Sequence, residues 1–433
     1  MSKGKLGIIA VSSFVVANMI GTGVFTSLGF QLLDISNLWA ILLLWLLGGF
    51  LAFCGALIYA ELGSVMPRSG GEYNFLSQLY HPCIGFMAGW ISITVGFAAP
   101  IAAASMAMGS YLHGTYAIFN PEIVAIITLL TITSIHSFTI DLAGRWQTVV
   151  TILKLTLIAI FVVAGLTMTG SSANNFTSST KEFLWGDIFS APYAVALVWV
   201  MFAYSGWNSA TYILGDIKNP RRTIAPALLI STAIVTGLYL LLNFIFLYVA
   251  PTSELSGQIE IGNIAAIHIF GINGGRIMSG IISVLLISSI SSMVYVGARV
   301  MQPMGQDTAL LRPLARTNRS GVPTLALWVQ CTIALGFILT ASFSQIIIYS
   351  GFVLNLCTML AALGLFINRI KHPHLERPFR AWGYPVLPAI FLLAMLWILV
   401  FLIVKQPVES LYGAGTALMG IVLYFVNKLT PKK

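Results

Sequence analysis

Long apolar runs follow one another along almost the whole chain. Short clusters of Pro, Gly, Asn and charge separate them, such as His81-Pro82, Asn120-Pro121, Asn219-Pro220-Arg221-Arg222 and Gly321-Val322-Pro323. A membrane-crossing helix needs about 20 mostly apolar residues. Twelve runs meet that need, at 6–31, 38–66, 83–112, 121–139, 145–169, 187–215, 224–250, 273–303, 322–341, 344–369, 384–404 and 409–428. Only helices and closed barrels satisfy their backbone in lipid, and barrel strands would be about half this length. The predicted fold class is therefore all-α integral membrane, with 12 transmembrane helices. The longest connections are 170–186, 251–272 and 304–320. Glu254-Leu255-Ser256 and Ile264-Ala265-Ala266-Ile267 could form short surface helices, and 304–320 could hold a short amphipathic one. No soluble domain is expected, so the chemistry belongs inside the bundle.

Composition agrees. Of the 433 residues, 58% are hydrophobic and 8% charged, against about 25% charged in soluble proteins. The basic residues are distributed unevenly. Of the 22 Lys and Arg, all but Lys154, Lys181, Arg276 and Lys405 fall on one side if the segments alternate in direction. Positive residues favour the cytoplasm, which predicts both termini there. The net charge of +9 then marks topology beside anionic lipid rather than nucleic-acid binding. The start Met1-Ser2-Lys3-Gly4-Lys5 precedes an apolar run too long for a cleavable signal. Cys54, Cys83, Cys331 and Cys357 lie in or beside apolar segments without CxxC spacing, and are expected to act as small buried hydrophobes.

Two segments are interrupted at matching depth. Segment 1 starts near Leu6 and meets Gly21 about fifteen residues later, while segment 6 starts near Asp187 and meets Tyr204-Ser205-Gly206 after a similar distance. Five segments separate the two starts, and an odd offset inverts the direction of entry. Gly-interrupted spans at corresponding places point to a transporter site near the bilayer midplane. Residues 1–169 and 187–369 then form an inverted 5+5 repeat, with two additional helices at 384–428. Unwinding frees N–H and C=O groups where an unpaired group costs several kcal/mol. A zwitterionic amino acid supplies acceptors for the first and donors for the second. The competing reading is packing, since glycines also let membrane helices approach closely.

The same residues carry a family resemblance. Ile20-Gly21-Thr22-Gly23-Val24-Phe25 is similar to the G-[ST]-G-[IV]-F motif of the amino acid–polyamine–organocation (APC) transporters. Tyr59-Ala60-Glu61-Leu62-Gly63 and Pro67-Arg68-Ser69-Gly70-Gly71-Glu72-Tyr73 resemble that superfamily's second segment and first inner loop. Phe202-Ala203-Tyr204-Ser205-Gly206-Trp207-Asn208, the stretch Ile217 to Ile224, and Arg145-Trp146-Gln147 with Lys154-Leu155 resemble the L-type amino-acid transporter (LAT) family, most of all a bacterial branch that exchanges alanine, serine and cysteine.

The resemblance implies a LeuT-like fold with helices 1 and 6 unwound around the substrate. It implies that the substrate carboxylate meets the N–H groups of Thr22 and Gly23. The ammonium would meet the carbonyls of Met19, Phe202 and Ser205, with Ile20, Gly21 and Ala203 completing the site. Phe202 matches an external aromatic gate. Ser205 matches a position held by Gly in members that accept large side chains, so Ala, Ser, Cys and Gly are the expected substrates. The implied protein is a sodium-independent antiporter in the cell membrane of a prokaryote, rocking segments 1, 2, 6 and 7 against the rest. The loop from His113 to Asn120 lacks the cysteine that ties animal members to a heavy subunit, so no disulfide-linked partner is expected.

Lys154 is the one basic residue deep in a segment, about nine residues past Arg145 and so about 13 Å in at the helical rise. An ionisable group at such depth points to function; the bland alternative is a lysine snorkelling to the interface. In the family reading, its ammonium replaces the sodium of sodium-driven relatives. It would link freed carbonyls near Gly21 to Ser288, Ser289, Ser291 or Ser292. Asn208 either supports the second half of segment 6 or caps a helix. Glu61 is expected to be structural. Tyr204 and Trp207 either line the cavity or pack. His113, His136 and His268 have no neighbours at metal-ligand spacing, and neither a metal nor a cofactor is expected. The spans hold no Asp pair, HExxH or GxSxG, which argues against an enzyme. Two alternatives remain: a proton-coupled symporter in which Lys154 cycles its proton, and a non-transporting receptor, which the short termini disfavour. Cationic substrates are disfavoured because no Asp or Glu adjoins either break in sequence.

Overall fold

The structure, a computed structural model, describes residues 6–116, 118–138, 143–167 and 190–429, with the backbone alone at Thr115 and 143–147. The expected 170–186 loop, Lys181, the start of segment 6 at Asp187, the residues before Leu6, Lys432, Lys433 and the side chains of Arg145, Trp146 and Gln147 lie outside the described residues.

The described chain is almost wholly helical. The helices are α1 (Ile8–Met19), α2 (Gly23–Asp34), α3 (Leu38–Val65), α4 (Glu72–Leu79), α5 (Pro82–Ile91), α6 (Ala98–Thr115), α7 (Pro121–Phe138) and α8 (Ala143–Thr167). After these come α9 (Ala191–Tyr204), α10 (Pro220–Val249), α11 (Thr252–Leu255), α12 (Ile261–Asp307), α13 (Thr324–Thr340), α14 (Phe343–Lys371), α15 (Val386–Lys405) and α16 (Pro407–Leu429). Local chemistry sets several starts. The Asn37 side chain accepts from Ala40 N at 3.1 Å, and Ser342 with Gln345 forms a reciprocal capping box at α14. Pro82 and Pro220 occupy first-turn positions where a missing N–H costs nothing.

Ten spans among the described residues are long and apolar enough to cross a membrane. The expected sixth and ninth segments fall outside that number. In the sixth, α9 provides 14 residues before the chain unwinds, while α13 in the ninth has 17. Several boundaries differ from the hydrophobic pattern. Segment 3 is α5 and α6 joined by one π-turn, Ser92–Gly96. Segment 8 grows to Ile261–Asp307, bent at Gly271 where φ is 75°. That growth absorbs the expected surface helix at 264–267 and part of 304–320, whose remainder holds a 3₁₀ turn at Arg312–Ala315. The amphipathic α4 was not expected. Its pattern is too short to register as a span and too buried to read as a loop.

The core forms where α10 lies along α3 and α1, α9 along α2 and α3, and α12 along α6 and α7. α15 and α16 sit at the rim, with Leu393, Val404 and Leu411 more than 60% exposed, as a lipid-facing surface requires. At the basic end, Arg369 grips Glu61 with Nε at 2.9 Å and Nη2 at 2.6 Å. Arg377 Nε lies 3.2 Å from the same carboxylate, and Ala381 N donates to it at 2.7 Å. Glu61 is 1% exposed. It locks α3 to α14 and to the loop before α15, the structural role expected of it.

The two interruptions meet in the middle. The chain is non-helical from Ile20 to Thr22 and again from Ser205 to Asn208, where a 3₁₀ helix Ser209–Asp216 follows. A Cβ at Gly23 would lie 2.3 Å from Ala203 Cα, so the two backbones touch only because Gly23 has none. Gly206 has φ of 99°, a left-handed conformation that favours glycine, and its missing Cβ would meet the Asn18 backbone at 2.8 Å. Each break therefore gives the other room.

Candidate functional site

Helix ends leave backbone groups unpaired. At the start of α2, no acceptor among the described residues meets the N–H groups of Thr22, Gly23 or Val24. The positive end of the helix dipole lies there, a setting that favours a carboxylate. The end of α9 presents the opposite pole. Its terminal turn closes with Ser205 N donating to Phe202 O at 2.9 Å.

The freed carbonyls of segment 1 are occupied by the protein itself. Met19 O accepts from Gly21 N at 2.8 Å and from Tyr239 Oη at 2.5 Å. Ile20 O accepts from Lys154 Nζ at 2.8 Å and from Ser289 Oγ at 2.8 Å, and Nζ also donates to that hydroxyl at 2.8 Å. Lys154 is fully buried. Its Nζ is thus seated on the break rather than snorkelling. Tyr239 Oη also lies 3.0 Å from Ala203 O, so one α10 hydroxyl sits between the two breaks with a single proton for either carbonyl.

Beside the breaks lies a cavity of about 80 Å³, lined by Asn18, Met201, Phe202, Ser205, Gly206, Asn208 and Ser209 and walled by Phe97, Met293, Asn355 and Phe391. A cavity needs about 10–15 Å³ of probe-occupied volume to hold one water, so this one has room for a small polar group or more.

A family model for amino acid permeases matches residues 6–426. The chain belongs to the amino acid permease family. Among its curated relatives, the human b(0,+)-type amino acid transporter 1 is 27% identical over 98% of this chain and 87% of its own length. The human large neutral amino acids transporter small subunit 2 is also 27% identical, over 98% and 80%. The mouse Asc-type amino acid transporter 1 is 24% identical over 98% and 81%. These relatives place the permease among the L-type amino-acid transporters of the APC superfamily. It is a multi-pass membrane protein, and its relatives are transporters rather than enzymes.

Within this permease, the expected site residues gather around the two breaks but divide in role. Phe202 and Ser205 line the cavity, whereas Gly21, Thr22 and Gly23 do not. Met19 O already lies within hydrogen-bond distance of Gly21 N and Tyr239 Oη. Of the four serines expected near Lys154, Ser289 alone bonds it. Ser291 Oγ lies 2.7 Å from His136 Nε2. Ser292 Oγ accepts from Asn18 Nδ2 at 2.8 Å. Ser288 Oγ is buried without a partner among the described residues. One helix carries all four, but successive positions are turned about 100° apart, so one serine alone reaches the lysine.

Asn208 Nδ2 donates to Glu72 Oε1 at 2.8 Å, which favours the support role over a cap. Glu72 is 3% exposed and also accepts from Tyr59 Oη at 2.7 Å and from Tyr212 Oη. Folding thus brings a carboxylate to the cavity wall that sequence adjacency placed nowhere near a break. Three protein donors hold it, two on Oε1 and one on Oε2. Trp207 lines the cavity and also packs edge-on to Tyr59 at 4.8 Å, whereas Tyr204 is fully buried beside Trp45 and Tyr239. His113 meets Phe119 O at 2.8 Å and His268 meets Glu254 at 2.8 Å. All four cysteines are buried. No cluster of three or more His, Cys, Asp and Glu suited to a metal occurs among the described residues. Tyr239 and Glu72 were missed because a lone Tyr in an apolar run and a Glu in a loop motif give no periodic signal.

Proposed function

We propose that this permease is a sodium-independent exchanger of small neutral L-amino acids, working by alternating access. The observation that carries the reading is the Lys154 ammonium on the Ile20 carbonyl, beside the unpaired N–H groups of Thr22 and Gly23. A resident cation at a broken helix supplies the charge that a bound sodium ion would bring. The substrate carboxylate then takes the positive end of α2, and its ammonium takes carbonyls of Phe202 and Ser205 at the end of α9. Ser205 and the volume of the cavity support Ala, Ser, Cys and Gly. The reading includes twelve spans, ten in two inverted five-helix repeats at 1–169 and 187–369 and two more at 384–428. It also includes cytoplasmic termini and a chain that works without a disulfide-linked partner.

The test is uptake of labelled alanine by the purified chain in proteoliposomes. Uptake that needs internal amino acid, and ignores sodium, is the expected result. Equal uptake into empty vesicles driven by external acid establishes instead the competing proton-coupled reading, in which Lys154 exchanges its proton.

A further inference from the structure

The strap between α14 and α15, residues 372–385, has two unlike faces. Its inner face is bound to the bundle. Ala381 is buried, and its N–H donates to Glu61 at 2.7 Å. Arg377 Nε lies 3.2 Å from the same carboxylate. The Arg377 guanidinium also donates to Leu375 O and His372 O, each at 2.9 Å, so one side chain folds the strap on itself and pins it against α3. Arg369 lies 3.8 Å from the centre of the Tyr384 ring. The outer face has no such partners. Arg380 and Trp382 flank the buried Ala381 and are both exposed, Trp382 at 58%. Ile370 at 76% and Val386 at 60% mark the two ends of the strap, with the exposed Lys371 beside the first. Lys371 and Arg380 form no hydrogen bond or ion pair among the described residues. Glu376, next to Arg377, is the one acidic residue from 370 to 386.

We propose that the outer face of this strap is a docking surface for anionic phospholipid, in the leaflet at the basic end of the bundle. That end is cytoplasmic in the topology proposed above, and the inference rests on that reading only for the name of the leaflet. Charge and burial together favour lipid as the occupant. Large apolar side chains exposed beside unpaired cations fit a surface that is part hydrocarbon and part phosphate. Tryptophan is favoured at the boundary between membrane and water. Lys and Arg run their apolar stems through that boundary and set their charge at headgroup level. Ile370 and Val386 belong to α14 and α15, and α15 is already at the lipid-facing rim. Lipid phosphates supply the acceptors that Lys371 and Arg380 lack. A zwitterionic headgroup offers the same phosphate but brings its own cation, so an anionic lipid is preferred. The surface also bears on the bundle. Arg380 and Trp382 stand on either side of Ala381, so lipid that holds them also holds the Ala381 N–H on Glu61. Lipid charge thus acts on the contact that locks α3 to α14.

The experiment is amide hydrogen exchange over residues 372–385 of the purified full-length protein in nanodiscs. One set of discs is phosphatidylcholine; the other is phosphatidylcholine mixed with phosphatidylglycerol. In the wild type, phosphatidylglycerol should slow exchange in the strap, the Ala381 amide included, by about tenfold. In the double variant Lys371→Gln, Arg380→Gln, exchange should be the same in both lipids. Both side chains are exposed, and the contacts to Glu61 stay in place. Equal exchange in the two lipids by the wild type overturns the surface, and so does slowing that persists in the double variant. Soluble glycerol phosphate added to phosphatidylcholine discs should have no effect; slowing by it would assign the cations to a free anion and overturn the lipid. Slowing seen only in discs that hold two copies would assign the face to a second copy of the chain, with the same consequence. No transport is measured, so the failure of the exchanger reading and the failure of this one are separate results.

Discussion

Replacing Lys154 by Met keeps most of the side-chain volume and deletes the charge. The structure sets what this should cost. Ile20 O would keep Ser289 Oγ at 2.8 Å, so no carbonyl is orphaned. Hydrogen bonds from a charged donor contribute about 1.5–3 kcal/mol, but the fully buried ammonium also gives up its hydration. The two terms oppose each other, and thermal stability should change little. Transport is different. If the ammonium holds the broken end of α1 in one arrangement and releases it in the other, the lost bond acts on that balance alone. A differential of about 1.5–3 kcal/mol shifts a two-state equilibrium by roughly ten- to a hundredfold. Alanine exchange in proteoliposomes, assayed from each face, should slow by a factor in that range, with KM altered unequally on the two faces. Unchanged turnover and unchanged KM on both faces, in a variant that melts like the wild type, would refute the reasoning.

Three other substitutions probe separate contacts. Gly23→Ala puts a Cβ 2.3 Å from Ala203 Cα and should lower the melting temperature in detergent through overpacking worth about 1–3 kcal/mol; a wild-type melt would show that the helices part freely there. Glu61→Gln leaves Arg369 and Arg377 without their carboxylate and should destabilise the basic end by about 3–5 kcal/mol, read from the same melts. Ser205→Gly should let leucine compete with labelled alanine about tenfold better, since about 1–3 kcal/mol attaches to one methylene-sized group in a pocket. No gain for leucine would mean that Ser205 does not limit side-chain size.

What the sequence made legible follows from which signals are local. The spans were visible because lipid demands a continuous apolar run, and both breaks because glycine punctuates such a run visibly. Lys154 stood out as a charge where charges are costly, and its place near Gly21 was implied by the family resemblance. The choice among four serines was not legible, since it depends on the rotation of α12 against α8. Glu72 was hidden for a similar reason. It belongs to a helix too short to be seen in hydropathy, and its partners Asn208 and Tyr212 lie more than a hundred residues away. The sixth segment was drawn as one span, but its second half is a 3₁₀ stretch whose short polar run reads like a helix end.

Gly21 and Gly23 raised a choice between packing and binding, and on the proposed reading the two go together. Gly23 must lack a Cβ for α2 to touch Ala203, and Gly206 must lack one to lie against Asn18. These two contacts bring the positive end of α2 and the negative end of α9 to the same place. A lone carboxylic acid would satisfy the first pole and leave the second bare; a lone amine would do the reverse. On the proposed reading, the close packing is what makes the site select a zwitterion. A substrate that bridges α2 and α9 must release both when the helices separate, so its binding and the rocking of the bundle use the same contacts.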